Sequence, residues 1–292
     1  MNFSISNSSL EISVLTSGAE ISSIKSVKSG KEYMWNADPA VWGSYAPVLF
    51  PIIGALKNNE CTIDGQTYKM PKHGFIRNNS AITLKSKSSD EIVFELAYSD
   101  DSLLMFPYKF NFSIGFKLDA NTITVSHTVV NQDSKDIHFG LGAHPGFKCP
   151  INEGEEYSDY YLEFEEVEHS NMTLLSADGL VSDKSEPLLT NSNILPLDDA
   201  MFNNDALIVK DLKSRKVSLK SHKSPQVVTV AYKDFPYLGL WAKPQAPFIC
   251  IEPWIGTADN ENTDGDFLKK DKLISLPQGE TFTAEYTITI DE

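Results

Sequence analysis

The chain has 292 residues, 41% of them hydrophobic, and a formal net charge of -15 at pH 7. A chain of this length and apolar content can bury a sizeable core in one large β domain or in two small domains. The negative charge argues against nucleic acid and anionic membranes as main partners, because both carry charge of the same sign. A small neutral ligand remains compatible with it.

The start of the chain and its cysteines favour a cytoplasmic location. Residues 1–6 lack the basic and apolar regions of a secretory signal peptide. The longest apolar run, residues 45–56, contains two prolines and is too short to span a bilayer. The cysteines, Cys61, Cys149 and Cys250, are widely spaced and form no CxxC pair, which is typical of a reducing compartment. We expect all of them to be buried and unreactive.

Alternation of apolar and polar residues recurs from one end of the chain to the other. It is clearest in residues 110–118, 122–129 and 282–290. Shorter runs predict further strands at residues 10–15, 92–98, 160–164, 217–220 and 227–232. Helical periodicity is limited to residues 266–272, about two turns at most. Because no linker or repeat divides the chain, we predict an all-β fold, a large antiparallel β-sandwich in a single domain over residues 1–292.

A histidine surrounded by small residues lies near the middle of the chain. His144 is in the segment 139–147, and three glycines of that segment flank it (Gly140, Gly142 and Gly146). Pro145 favours an extended backbone at His144, as at the end of a strand. The glycines would let the backbone approach a ligand closely. His144 is therefore a candidate acid or base, although a hydrogen-bonded structural histidine fits the local context equally well.

A glutamate follows the apolar run 248–251 in a similar setting. Glu252 is followed by proline and then by Trp254. A carboxylate at the end of a buried strand must be paired, hydrogen-bonded or shifted in pKa. The alternative to catalysis is a buried ion pair with a lysine or arginine. If Glu252 meets His144 in space, the two supply one general acid and one general base.

Further candidates lie close to glycines, turns and aromatic residues. His73 precedes a glycine and lies near Arg77, which could bind an anionic group or form an ion pair that holds the loop. Asp205 precedes an apolar strand, where turn chemistry explains it equally well. His127 shares a face with apolar residues and is predicted to be a hydrogen-bonded core histidine. Aromatic rings that could stack on a sugar are Trp42, Phe147, Tyr237, Trp241 and Trp254, of which Phe147 and Trp254 adjoin the two main candidates.

The order of three motifs carries a family resemblance. The segments His-Gly-Phe-Ile-Arg at 73–77, His-Pro-Gly-Phe at 144–147 and Glu-Pro-Trp at 252–254 follow one another as in the aldose 1-epimerase (galactose mutarotase-like) family. The sequence is most similar to the LacX-like bacterial branch of that family. Residues 18–20, 32–35 and 50–54 also fit, so the likeness covers nearly the whole chain.

This resemblance implies a β-supersandwich fold and an isomerase that interconverts the α and β anomers of a free aldohexose without a cofactor. By analogy, Glu252 removes the proton of the anomeric hydroxyl and His144 protonates the ring oxygen. His73 assists near the anomeric carbon and Asp205 holds sugar hydroxyls. Trp254, Phe147 and Arg77 are expected to contact the sugar, which is the only partner implied; no oligomeric state is indicated.

One position departs from the family pattern. Relatives commonly carry arginine where this chain has Ala55, and Lys57 is the residue expected to take over its place in substrate binding. This departure leaves open a catalytically silent, sugar-binding or regulatory module on the same fold. A third interpretation makes His73, His144 and Glu252 a metal site with two histidines and one carboxylate, although their spacing does not demand a metal.

Overall fold

The protein consists almost entirely of β-strands. The computed structural model describes residues 1–292, and its strands, in chain order, are β1 Asn2–Ser6, β2 Leu10–Leu15, β3 Glu20–Ser26, β4 Val48–Leu49, β5 Glu60–Ile63, β6 Gln66–Lys69, β7 Thr83–Lys87, β8 Glu91–Ala97, β9 Phe110–Asp119, β10 Thr122–Asn131, β11 Ile137–Phe139, β12 Leu141–Ala143, β13 Gly146–Lys148, β14 Tyr160–Leu175, β15 Val181–Pro196, β16 Leu207–Val209, β17 Lys216–Ser221, β18 Val227–Ala231, β19 Tyr237–Trp241, β20 Phe248–Ile255, β21 Ile274–Leu276 and β22 Thr281–Asp291.

Most of these strands belong to one antiparallel sheet. The sheet has fifteen strands: thirteen follow the order β4-β12-β20-β19-β16-β14-β17-β18-β22-β10-β9-β8-β7, and β13 pairs with β20 and β15 with β14 beside it. Smaller sheets are formed by β1-β2-β3, by β5-β6 and by β11-β21. The prediction of an all-β, antiparallel sandwich is thereby confirmed.

The apolar faces of the strands form a continuous core. A cluster of 72 buried residues extends from Ile5 to Ile290. In β9 and β10 burial alternates residue by residue, and Val125 lies between Phe116 on one neighbouring strand and Tyr286 on the other. Such cross-strand contacts between large apolar side chains stabilise a sheet. The single domain over residues 1–292 stays a prediction, and this continuous core favours it.

The long alternating segments are strands, as the sequence predicts, whereas short elements differ. The predicted helix at residues 266–272 is only a 3-10 turn, Phe267–Lys269, and the one α-helix is Asp100–Met105, which the periodicity does not indicate. Ser99 caps that helix through a reciprocal hydrogen-bond pair with Ser102, so capping outweighs the weak periodicity there. None of the helices has the length and apolar character needed to cross a lipid bilayer.

The core histidine and the cysteines are buried as the sequence predicts. His127 is 0% exposed and its ring lies 21° from parallel to that of Tyr286, and its nearest polar contact is a weak one with the Ala284 backbone in place of the well-formed hydrogen bond that we expected. Burial lowers the pKa of His127 to about 4. Cys61, Cys149 and Cys250 are buried and free, and burial raises the pKa of each thiol.

Candidate functional site

Strand register places His144 opposite Glu252. Strands β12 and β13 both pair with β20, with Gly142 opposite Trp254 and Gly146 opposite Cys250. His144 lies in the interval between β12 and β13, so the same antiparallel register sets it against Glu252. The distance from His144 Nε2 to Glu252 Oε2 is 3.3 Å. The two candidates that lie far apart in the chain are therefore direct neighbours.

Glu252 is a buried carboxyl group without a hydrogen-bond partner. Every residue of β20 is buried, and Glu252 is 1% exposed. Neither of its carboxylate oxygens accepts a hydrogen bond of good geometry. Burial therefore raises its pKa well above 4.5, and Lys72 and the Trp254 indole oppose this rise less strongly. The alternative of an ion pair with lysine or arginine is not found, because His144 is the only basic group within 4 Å.

His144 is held between two indole rings. The Trp42 ring stacks on the imidazole at a centroid distance of 5.0 Å, and the Trp241 ring meets it edge-on at 5.5 Å. Burial lowers the pKa of His144 to about 3, and its Nδ1 has no partner. A neutral imidazole thus faces a carboxyl group that retains its proton. In this state the carboxyl group is the acid of the pair, and the unprotonated ring nitrogen of the imidazole is its base.

His73 adds a hydrogen-bond donor beside this pair. The Gly54 backbone N–H donates to His73 Nδ1 over 3.1 Å, so the neutral ring carries its proton on Nε2. Its ring lies 5.7 Å from that of His144, edge to face, and burial lowers its pKa well below 6.5. His73 has a φ of 69°, and Gly74 follows at 75°, where any side chain would overlap the Phe50 carbonyl. This turn therefore requires the glycine that follows the histidine.

The three residues line one cavity that is open to solvent. A cavity of about 210 Å³ is lined by fifteen residues, which include His73, His144, Glu252, Asp205, Arg77, Trp254, Lys72, Trp241, Leu175 and Gly179. Six of these are predicted site residues. Larger clefts, of about 580 and 530 Å³, lie elsewhere, but their linings contain no histidine or aromatic residue. The acid–base pair therefore belongs to the smaller cavity.

The glycines near His144 serve the packing of indole rings. A Cβ atom on Gly142 would lie 2.8 Å from the Trp254 ring, and one on Gly146 would lie 2.9 Å from the Trp42 ring. Gly239 of β19 plays the same part on the other side, where a Cβ atom would lie 2.6 Å from Trp254. The expectation that these glycines let the backbone approach a ligand is corrected: the space beside them is filled by the protein's own side chains.

Arg77 and Asp205 line the cavity and also hold local structure. Arg77 Nη2 donates to Ser44 Oγ over 3.0 Å, and Arg77 lowers the pKa of the buried Glu20, which burial raises. Asp205 Oδ1 accepts from the Ala206 backbone N–H over 2.8 Å, at a φ of 75°. Its charge also contributes to the raised pKa of Glu252.

Two predicted substrate contacts, Phe147 and Lys57, do not line the cavity. Phe147 is 0% exposed in the core, because side chains alternate along an extended chain and Phe147 points away from the face that carries His144. Lys57 Nζ donates to the backbone carbonyls of Glu261 and Thr263 and lines a separate cleft. Ala55 lines that cleft too. The segment in which relatives carry arginine therefore places no positive charge in the cavity, and neither does Lys57.

Several lining residues were missed by sequence reasoning. Lys72 directly precedes His73, and this adjacency was a signal that could have identified it. Leu175, the last residue of β14, and Gly179, in the turn between β14 and β15, also line the cavity, and nothing in their local sequence marks them as site residues. Of the aromatic candidates, Trp241 and Trp254 line the cavity, Trp42 supports His144, and Tyr237 is bonded to Asp271.

The side chains whose ligand atoms lie close enough to share a metal ion are His144, Cys250 and Glu252. One such atom from each lies within 4.8 Å of the other two. His73 does not belong to this set, so the site with two histidines and one carboxylate is not the arrangement that the structure forms.

Comparison with known proteins gives matches over nearly the whole chain. The sequence matches the family model described as Aldose 1-epimerase over residues 1–289. The chain belongs to the aldose 1-epimerase family. It is 34% identical over 299 residues to Protein LacX of Lactococcus lactis subsp. lactis, in both its plasmid and chromosomal forms, with 99% of each chain covered.

Solved structures of other aldose 1-epimerase relatives share the whole fold. A galactose mutarotase related enzyme from Lactobacillus acidophilus superposes with a TM-score of 0.95 at 34% identity, covering 100% of this chain and 98% of the other. A galactose mutarotase-like protein from Lactobacillus casei ATCC 334 superposes with a TM-score of 0.94 at 26% identity, with both chains fully covered. The family and its fold are thus established, and membership implies a sugar substrate.

Proposed function

We propose that this member of the aldose 1-epimerase family is an active mutarotase, which interconverts the α and β anomers of a free aldohexose by acid–base ring opening. The observation that carries the proposal is the pair of His144 and Glu252, 3.3 Å apart at the wall of a cavity of about 210 Å³. Opening a cyclic hemiacetal needs one group that takes a proton and one that gives a proton. The pair supplies both.

The reaction begins with the sugar's anomeric carbon beside the pair. Glu252 takes the proton of the anomeric hydroxyl while His144 gives a proton to the ring oxygen. The bond between the anomeric carbon and the ring oxygen breaks, and the open-chain aldehyde forms. After rotation about the adjacent carbon–carbon bond, the ring closes on the other face with the two roles exchanged, so no proton is gained or lost.

This assignment requires the proton to reside on His144 when the sugar is bound. In the free cavity, burial favours the neutral forms, a carboxylic acid at Glu252 and an uncharged imidazole at His144. Both arrangements contain one proton, and the groups lie close enough for direct exchange. A sugar hydroxyl that donates to the unpartnered Glu252 oxygens stabilises the carboxylate and so favours transfer of the proton to His144.

The other lining residues suit a polyhydroxylated ring. Proton-bearing Nε2 of His73 can donate to an oxygen near the anomeric centre, and Asp205 can accept from hydroxyl groups. Trp241 and Trp254 offer ring surfaces to the C–H face of a sugar. Arg77 lines the cavity and can donate hydrogen bonds from its guanidinium group, whereas the ammonium group of Lys57 does not reach the cavity.

A second candidate function is a sugar-binding module without catalysis. It is favoured by one observation: the segment that contains Ala55 contributes no cation to the cavity. Such a module would bind the sugar with the same residues and leave the anomeric equilibrium rate unchanged.

Anomer exchange measured by NMR distinguishes the two functions. Added to glucose, galactose and xylose at equilibrium, the active protein should transfer magnetisation between the α and β signals faster than buffer does. His144→Asn and Glu252→Gln should abolish the acceleration while the exposed control substitutions His222→Asn and Glu186→Gln retain it. Sugar binding without faster exchange in the native protein would establish the module instead.

A further inference from the structure

A third side chain lies behind the acid–base pair. Cys250 precedes Glu252 by two residues on β20, so both side chains project from the same face of the sheet. Its Sγ, a nitrogen of His144 and an oxygen of Glu252 lie within 4.8 Å of one another. The proposed sugar chemistry gives this thiol no part, and it does not line the cavity.

Two of these three side chains, His144 and Glu252, carry buried polar atoms without a hydrogen-bond partner. Both Glu252 oxygens and His144 Nδ1 have no hydrogen-bond partner, and Glu252 and Cys250 are 1% and 0% exposed. Buried polar groups without partners are rare and destabilising, and they often mark a place where a ligand binds. A bound ion that takes a nitrogen, an oxygen and a sulfur ligand at once would give all three side chains a partner.

The donor set is selective for one class of metal ion. Thiolate, imidazole and carboxylate are the three ligand types of zinc, and sites with three protein ligands leave a fourth position open. Magnesium and calcium prefer oxygen ligands alone, so a site with one sulfur and one nitrogen excludes them. His144 and Glu252 line the cavity, which gives an ion access from solvent.

We propose that His144, Cys250 and Glu252 form a binding site for a thiophilic divalent cation of the zinc type, and that this ion competes with the sugar. The imidazole and the carboxylate would both be coordinated to the ion, so neither could exchange a proton with a substrate. The inhibitory consequence rests on the function proposed above, whereas the binding of the ion does not.

Cobalt(II) tests the binding directly, without any assay of turnover. A thiolate bound to cobalt gives intense sulfur-to-metal absorption in the near ultraviolet, which nitrogen and oxygen ligands do not give. The native protein should develop this absorption, and zinc should abolish it in a one-to-one titration while magnesium leaves it unchanged. Cys250→Ser should remove the absorption, and Cys61→Ser, which alters a buried thiol outside the cluster, should retain it.

Zinc affinity, measured by competition with a chromophoric chelator, provides the second test. Cys250→Ser and Glu252→Gln should each weaken zinc binding by more than about tenfold, with thermal unfolding used to verify that each variant is folded. Equal zinc affinity in the native protein and Cys250→Ser, or cobalt binding without the sulfur band, would overturn the proposed site.

Inhibition of anomer exchange separates this proposal from the proposed function. If the protein is a mutarotase, zinc should inhibit it competitively with the sugar, and the inhibition constant should rise more than about tenfold in Cys250→Ser relative to that variant's own zinc-free rate. If the protein shows no exchange activity, the cobalt and chelator measurements still decide the metal site. Non-competitive zinc inhibition that is unchanged in Cys250→Ser would refute it.

Discussion

His144 Nε2 lies 3.3 Å from Glu252 Oε2, because β12 and β13, on either side of His144, both pair with β20, which carries Glu252. The two groups are buried together, and burial shifts their pKa values in opposite directions. They therefore share one proton and should behave as a single catalytic unit.

Replacing both His144 and Glu252 should lower kcat little more than replacing either one. His144→Asn or Glu252→Gln alone should lower kcat by about 10²- to 10⁴-fold, the usual contribution of a general acid or base. Because the acid and the base act in the same step, neither can catalyse it without the other. The kcat of the double variant should therefore be close to that of the slower single variant. Optical rotation of freshly dissolved α-anomer measures these rates. Multiplicative losses in the double variant would contradict a shared role.

The activity should be constant over a pH range bounded by the pKa values of His144 and Glu252. Glu252 retains its proton up to a pKa well above 4.5, and His144 stays neutral down to a pKa of about 3. Between these limits the pair holds one proton; at higher pH it loses its acid, and at lower pH it loses its base. A profile of kcat/KM should therefore show a plateau that ends on both sides, with midpoints that belong to the coupled pair.

A different pH profile would contradict the assignment of a buried, neutral His144. A rise in kcat/KM with a midpoint near 6.5, the ordinary pKa of histidine, would show that His144 titrates as an exposed imidazole. His222→Asn is a suitable control, because His222 is exposed and outside the cavity, and its profile should match that of the native protein.

Replacing the buried carboxyl group should stabilise the protein. The folded-state pKa of Glu252 is raised, so the folded protein holds this proton more tightly than the unfolded chain does. That stability is present below about 4.5, the ordinary pKa of glutamate, and is lost as the pH rises toward the folded-state pKa. Glu252→Gln should remove this loss and add on the order of 1 kcal/mol to the free energy of unfolding at neutral pH.

Urea unfolding at several pH values checks this prediction. The stability difference between Glu252→Gln and the native protein should grow as the pH rises above 4.5, whereas exposed Glu186→Gln should show almost no difference. A variant less stable than the native protein at every pH would indicate that the carboxylate has a favourable partner.

The position of the Trp254 ring should depend on Gly239 of the neighbouring strand, β19. In Gly239→Ala the new Cβ atom would lie 2.6 Å from the indole, so the ring must move, and overpacking of this kind costs about 1–3 kcal/mol of stability. Sugar affinity should fall as well, since Trp254 lines the cavity. Thermal unfolding and calorimetric sugar titration measure the two effects.

Gly115→Ala is the matched control for Gly239→Ala. Gly115 also lies in a strand, β9, but its new Cβ atom would meet only Val93 at the ordinary contact distance of 3.7 Å. It should leave sugar affinity unchanged. Equal effects of the two substitutions would mean that glycine loss in a strand, and not the indole contact, accounts for the result.

The sequence by itself determined the β architecture and the principal site residues. Strand alternation is a local property, so β9, β10 and β22 could be predicted from spacing alone. The histidine and the glutamate were recognisable because small residues and an apolar strand surround them. The order of the three motifs then indicated the family, because order and spacing survive when most other positions change.

Only the tertiary structure decided which residues share the cavity and where the proton lies. Strand register excluded Phe147, and backbone carbonyls from a distant loop hold Lys57 elsewhere. The hairpin residue Leu175 reaches the cavity through folding alone. The pKa values of His144 and Glu252 follow from burial, which is a sum over many residues remote in the chain. Local patterns cannot encode such sums, because each depends on how all the strands pack.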